Sequence, residues 1–260
     1  MARIVKRTLV TLGIAVAVVV LAVGGLIAWT FSGRMPILDG EEVGPARIVK
    51  DGFVSVAVIA TGEHEVALVD AGNDASAAAI LADLARRGMG PEAVKTILLT
   101  HGHRDHIAGI PMFPGAEVVV LAGDSDLVQG RAGGKGPLTR LMPVHPTGLR
   151  ATKTVNDGDT IAIGRLSARA YAVPGHTSGS AAWLIDGVLF LGDSADADSD
   201  GRLAGAPWLF SDDGDQNRAS LASLATRLAS EGTEVRALVF AHSGALTRGL
   251  EPLAEFAHTH

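Results

Sequence analysis

The sequence predicts an α+β protein in which paired β-sheets carry helices on their outer faces, standing behind one N-terminal transmembrane helix. Three observations predict this. The chain opens on a long apolar run without a charge; short β-branched runs recur through the remainder with two amphipathic helices between them; and the histidine-bearing segments follow directly on those runs.

From Thr8 to Phe31 the sequence reads TLVTLGIAVAVVVLAVGGLIAWTF, 24 residues with no charged side chain. As a helix rising ~1.5 Å per residue it reaches about 36 Å, enough to cross a hydrocarbon core of about 30 Å with some tilt. Arg3, Lys6 and Arg7 precede the run, whereas Asp39, Glu41 and Glu42 follow closely on Arg34. The positive-inside rule then holds the N-terminus in the cytoplasm and sends the body across the membrane. Trp29 and Phe31 suit an interfacial anchor. The competing reading is a cleaved signal peptide with Ala22-Val23-Gly24 as its small-residue site, leaving a secreted or periplasmic domain. The apolar run exceeds a usual signal core, which favours the retained helix. The expected organisation is a cytoplasmic tip and anchor over residues 1–34, a linker over 35–46, rich in Gly, Pro and acids, and one folded domain over 47–260.

The 260 residues are 47% hydrophobic and 19% charged and include no Cys, which excludes a disordered chain, a disulfide scaffold and a cysteine-ligated zinc site. Residues 35–260 carry 18 of the 22 basic side chains and all 28 acidic ones, a balance of −10. A body that acidic repels a phosphate backbone, so nucleic acid is not an expected partner.

Within the body, strands are expected at Phe53–Ala60, Glu65–Val69, Thr96–Leu99 and Glu117–Leu121, then at Ala168–Val173, Ala181–Ile185, Val188–Leu191 and Ala237–Phe240. Asp74 can cap a helix whose apolar face is Ala77, Ile80, Leu81 and Leu84, ended by Gly88. A second helix, from about Asn217, presents Leu221, Leu224, Ala225 and Leu228, with Gly232 beyond it.

Directly after the strand at Thr96–Leu99 comes Thr100-His101-Gly102-His103-Arg104-Asp105-His106, the pattern HxHxDH. Imidazole nitrogen and carboxylate oxygen are the ligands that suit a borderline cation such as zinc. With 9 His and 18 Asp in the chain, such a cluster arises by chance on the order of once in a thousand, so surface histidines are a poor account of it. Four further segments accompany it: Asp70 in LVDAG, His176 in PGHTSGS, Asp193 in FLGD and His242 in VFAHSG.

With these five motifs in this order, residues 47–250 resemble the metallo-β-lactamase-fold hydrolase superfamily, in its glyoxalase II-like or general hydrolase branch. The resemblance implies a four-layer αββα sandwich. It implies that His101, His103 and His176 bind one metal ion, that Asp105, His106 and His242 bind a second, and that Asp193 bridges them. Asp70 would support the metal loop without binding, and Thr177 would fix the loop behind His176. Two zinc ions so held would give a bridging hydroxide at neutral pH and polarise a carbonyl, with Asp105 as the catalytic group that orients the hydroxide and shuttles its proton. The implied activity is cleavage of an ester, thioester or lactone outside the cytoplasm.

Departures from the family's branches narrow this. The chain ends 18 residues after His242, short of the helical domain that binds a thiol cosubstrate, which argues against glutathione thioesters. Quorum-quenching lactonases place a tyrosine at the site, and Tyr171 lies in an expected strand. Alternatives are a β-lactam hydrolase, a mononuclear iron (one Fe2+) persulfide dioxygenase-like enzyme, and a membrane-tethered binding protein that no longer turns over.

Other residues read as ordinary. His64 and His145 lie in turns and read as solvated, and His258 and His260 as fraying ends. Asp196, Asp198, Asp200 and Gly201 match the start of a calcium loop, yet Pro207 stands where a bidentate Glu is needed. The glycine-rich stretch 130–136 lacks the spacing of a phosphate loop and reads as mobile. Residues 123–150 and 201–216 are the expected walls of the substrate cleft.

Overall fold

The computed structural model describes residues 2–259, without the side chains of residues 2–8 and Thr11. The charges Arg3, Lys6 and Arg7, and His260, thus lie outside the described residues. The described chain divides into two compact units, Met1–Gly33 and Arg34–His260. The first is the helix α1 (Ala2–Thr30). Its stretch Leu12–Thr30 has mean hydropathy 2.6 with none of the window buried, as an apolar run long enough to cross a membrane.

The second unit holds two main sheets. One comprises seven strands in sequence order: β1 (Glu42–Val43), β2 (Ala46–Asp51), β3 (Val54–Gly62), β4 (Glu65–Val69), β5 (Val94–Leu98), β6 (Glu117–Leu121) and β7 (Lys153–Val155). The other uses β8 (Thr160–Ile163), β9 (Leu166–Ala172), β10 (Ala181–Ile185), β11 (Val188–Gly192) and β14 (Ala237–Phe240), in the order β14-β11-β10-β9-β8. A small ribbon joins β12 (Ala195–Ala197) to β13 (Leu203–Gly205). The helices are α2 (Ala78–Arg86), α3 (Arg104–Ile107), α4 (Ser125–Val128), α5 (Gly214–Ser230) and α6 (Glu251–Thr259).

Alternation along the strands builds the layers. Ala57 and Ile59 of β3 and Ala67 and Val69 of β4 share one buried cluster with Trp183, Ile185, Phe190 and Val239, the filling between the two sheets. Their neighbours Val56, Val58, Val66 and Leu68 point the other way, against Ile80 and Leu84 of α2. On the far side, Ala182, Leu189, Leu191 and Leu238 meet Leu221, Leu224 and Leu228 of α5 and Leu253 and Phe256 of α6. Three apolar clusters between four layers give the expected αββα sandwich.

Several boundaries differ from the expectation. The stretch 35–46, expected as a linker, is built into the domain: β1 and the start of β2 lie in it, and Ile37 packs on the inter-sheet core. Its Gly and Pro are turn residues of a folded edge. The second helix starts at Gly214, because Asp213 caps it by accepting from Gln216 N–H at 2.9 Å. His258 belongs to α6 instead of fraying, since Leu253 and Phe256 on the same helix are buried.

Candidate metal centre

Four strand ends deliver the motif residues. His101 and His103 follow β5, with Asp105 and His106 on α3 behind them; His176 follows β9, Asp193 follows β11 and His242 follows β14. Parallel pairing of β11 with β14 brings the last two side by side although they are distant in sequence. Gly192 makes the approach possible. It adopts φ 54, and a Cβ there would lie 2.4 Å from Thr100 Oγ1.

The seven residues converge. His101, His103 and His176 form one group, His101, His106 and Asp193 a second, and Asp105, His106 and His242 a third, the ligand atoms of each lying within 4.8 Å of one another. His176 Nε2 is 3.2 Å from His101 Nε2 and 3.0 Å from His103 Nδ1. Asp193 sits among the groups: Oδ1 is 3.3 Å from His106 Nε2, and Oδ2 is 3.1 Å from His242 Nε2 and 3.5 Å from His176 Nε2. Asp105 Oδ2 lies 3.5 Å from His242 Nε2 and 3.8 Å from His106 Nε2, at 26% side-chain exposure.

The surrounding hydrogen bonds decide which ring nitrogens face inward bare. Thr100 Oγ1 donates to Asp70 Oδ2 at 2.7 Å, so its oxygen accepts from His101 Nδ1 at 3.1 Å. Ser211 Oγ donates to Pro207 O at 2.8 Å and accepts from His176 Nδ1 at 3.0 Å. His106 Nδ1 donates to Asp70 Oδ2 at 2.9 Å, and His242 Nδ1 to Phe53 O at 3.1 Å. In the neutral form of each of these four rings the proton is outside and the Nε2 lone pair points in. Lone pairs about 3 Å apart repel unless a cation lies between them, and His103 Nε2, His106 Nε2 and Asp193 Oδ1 are buried without a hydrogen-bond partner. The donor set thus fits divalent metal: imidazole and carboxylate, oriented from behind.

Electrostatics separate the two halves. Burial holds His101 and His176 well below the ordinary histidine range, and lowers His103. Burial pulls His106 and His242 down too, but Asp193 and the neighbouring carboxylates outweigh it, raising His106 well above its ordinary value and His242 to about 8. Asp193 goes the other way: burial raises it, yet His242 and His106 bring it well below the usual carboxylate range.

Asp70 and Thr177, expected as support residues, lie beside the clustered histidines. Asp70, at φ 63, also accepts from Thr100 N–H at 2.7 Å. Thr177 Oγ1 donates to Asp124 Oδ2 at 2.8 Å. Asp124 itself escaped the sequence reading. Fully buried behind β6, it also accepts from Gly102 N–H at 2.8 Å and Gly179 N–H at 2.7 Å, binding the His101–His106 turn to the His176 loop. In the sequence it looks like any helix-capping aspartate. Ser211 and the Phe53 carbonyl carried no sequence signal. Asp124→Ala should destabilise the domain by about 3 kcal/mol or more, since three buried donors lose a charged acceptor; the urea midpoint with unchanged m-value measures it.

The expected cleft walls meet each other. Lys135 N–H donates to Asp212 Oδ1 at 2.6 Å and Leu138 N–H to Leu209 O at 2.9 Å. A Cβ on Gly134 would approach His103 Nε2 to 3.4 Å, so the glycine-rich stretch borders the centre. Trp208, 49% exposed, sits in the turn that carries Ser211. Tyr171 is buried on the far side of the second sheet, in the cluster with α5. His64 and His145 are exposed. In the acidic loop, Asp198 Oδ1 accepts from Asp200 N–H and Arg202 N–H at 2.9 Å each, so the calcium pattern folds as a local turn.

An αββα sandwich with histidines and aspartates gathered at its strand ends defines the class as a metal-site fold. The family model described as the Metallo-beta-lactamase superfamily matches residues 49–242, and the chain belongs to that superfamily. Among curated relatives, the hydroxyacylglutathione hydrolase of Idiomarina loihiensis is 29% identical over 112 residues, 43% of this chain and 37% of its own length. That of Yersinia pestis is 32% identical over 150 residues, 56% and 49% respectively. The chain spans half or less of the length of these relatives. Among solved structures, a B3 metallo-beta-lactamase with an active-site glutamic acid aligns with TM-score 0.63 at 25% identity, covering 87% of this chain and 88% of its own. The subclass B3 metallo-beta-lactamase of Bradyrhizobium japonicum aligns with TM-score 0.62 at 22% identity over 88% and 93%, a likeness of fold alone.

Proposed function

We propose that this protein is a membrane-anchored, metal-dependent hydrolase that cleaves an ester, thioester or lactone at a two-zinc centre outside the cytoplasm. The observation that carries the reading is the set of inward Nε2 lone pairs around Asp193, each locked by a hydrogen bond on the opposite ring nitrogen. His101, His103 and His176 would hold one ion, Asp105, His106 and His242 the other, with Asp193 between them. Two zinc ions bound there would supply a Lewis acid for the carbonyl and bring the pKa of a water down towards ~7. Asp105, partly exposed, would accept a hydrogen bond from the attacking water and return the proton to the leaving group. Asp70 and Asp124 keep the ligand loops in register. Residues 1–33 act as the anchor, oriented by their basic end.

A second reading, β-lactam hydrolysis, is favoured by one observation: the B3 lactamase match covers most of both chains, whereas the hydroxyacylglutathione hydrolases match over at most half of their length.

The test is metal content of the purified full chain, followed by an ester, thioester, lactone and β-lactam panel on the same sample. Two zinc ions per chain with turnover of one class supports the proposal and names its bond. One iron with oxygen uptake would replace it with an oxidoreductase; bound metal without turnover of any class would leave a binding protein. If the walls choose the substrate, Trp208→Ala and Arg131→Ala should shift relative kcat/KM across the panel; unchanged ratios would free those loops of that role.

A further inference from the structure

Residues 34–36 lie between the two loops that carry Asp193 and His242. Arg34 forms an antiparallel bridge with Asp198, Met35 N–H donates to Ala197 O at 3.0 Å, and Met35 O accepts from Gly244 N–H at 3.0 Å. The fit is tight, since a Cβ on Gly244 would come within 2.8 Å of Pro36 O. The two loops also hold each other, through Ala197 N–H to Ser243 Oγ at 2.8 Å. One short segment is therefore stitched to the chain just past Asp193 on one side and just past His242 on the other.

The Arg34 side chain adds a charge to this seam. Its NH1 atom lies 2.7 Å from Asp196 Oδ2, with 12% and 1% of the two side chains exposed. Burial pushes Asp196 up and Arg34 pulls it back towards ionisation, leaving it at about 6. An ionised carboxylate that deep loses its hydration, a penalty that a neighbouring cation offsets. Without one, the loop three residues beyond Asp193 would have reason to move outward to water.

We propose that Arg34 is a positioning residue for the Asp193–His242 half of the centre, and that residues 34–36 are a strap that the centre requires. Arg34 acts through Asp196, holding the loop whose first residue aims a carboxylate between the two ligand groups. The proposal rests on the two-ion reading above. It separates two kinds of processing: a cut before Arg34 keeps the strap on the domain, whereas a cut after Pro36 breaks its covalent continuity with the domain.

The experiment strips the full chain of metal in detergent and titrates it with cobalt(II), reading each equivalent by visible absorption. Arg34→Met is expected to keep first-equivalent affinity and to weaken the second by about tenfold or more, the range typical of lost outer support. Arg34→Lys keeps the charge, and Arg34→Met with Asp196→Asn removes both charges, so both should stay within about threefold of the parent at the second equivalent. Parent-like binding of both equivalents by Arg34→Met would overturn the proposal. So would equal losses at both equivalents, which mark general loosening of the fold. A parent chain that takes up fewer than two equivalents would overturn the two-ion reading instead.

Discussion

Asp193→Asn is expected to lower turnover by about a thousandfold or more with the fold intact. The amide keeps the shape of the carboxylate and drops its charge. That charge faces His106, His242 and His176 at 3.1 to 3.5 Å, so its loss removes the carboxylate that neighbours histidines of both proposed ligand sets. Losing a residue that only orients a ligand typically costs about 10–100-fold, which sets the scale for a control. Asp70→Asn, behind His106, should fall in that lower range. Steady-state kinetics beside metal content per chain checks both, and an Asp193→Asn enzyme within tenfold of the parent would remove this residue from the centre.

Stripping the metal should lower the melting temperature by roughly 8–16 °C, restored on adding zinc. Ligand present at about 1,000 times its Kd contributes about 4.1 kcal/mol, and a domain this size gains about 2–4 °C per kcal/mol. The physical source is the crowd of inward lone pairs, which repel once nothing positive lies among them. Protons can stand in partly. Asp193 and its neighbours raise His106 and hold His242 near about 8, so in the stripped chain these two rings take up protons that metal must displace. Apparent metal affinity should therefore weaken as pH falls through about 8, with protons released on binding. Scanning calorimetry of stripped and reloaded protein, and titration at two pH values, check these outcomes. A melting temperature indifferent to chelator would count against a resident ion.

Much of the fold was legible because its signals are local. The short β-branched run around Val56-Ala57-Val58-Ile59 marks a buried strand, and HxHxDH packs four chemically expensive side chains into one turn. What escaped reading depends on distance. Asp124 is an ordinary capping aspartate until Gly102 and Gly179, far apart in sequence, bring their N–H groups to it. Ser211 and Phe53 matter through one oxygen each, which no residue pattern advertises. Residues 35–46 have linker composition, yet they pair with β2 and pack on the inter-sheet core; Gly and Pro mark turns whether the turn is free or built in.

The parallel pairing of β11 with β14 has a consequence for the order of assembly. Because β14 returns to its partner only after α5 has crossed over, His242 reaches Asp193 late in the chain. A polypeptide threading from N- to C-terminus can form the three-histidine group once residue 176 has emerged, whereas the other group waits for residue 242. Any ion captured on the way would be held by a partial cage. Full loading of the proposed two-ion centre would thus report completed synthesis and closure of the chain through residue 242.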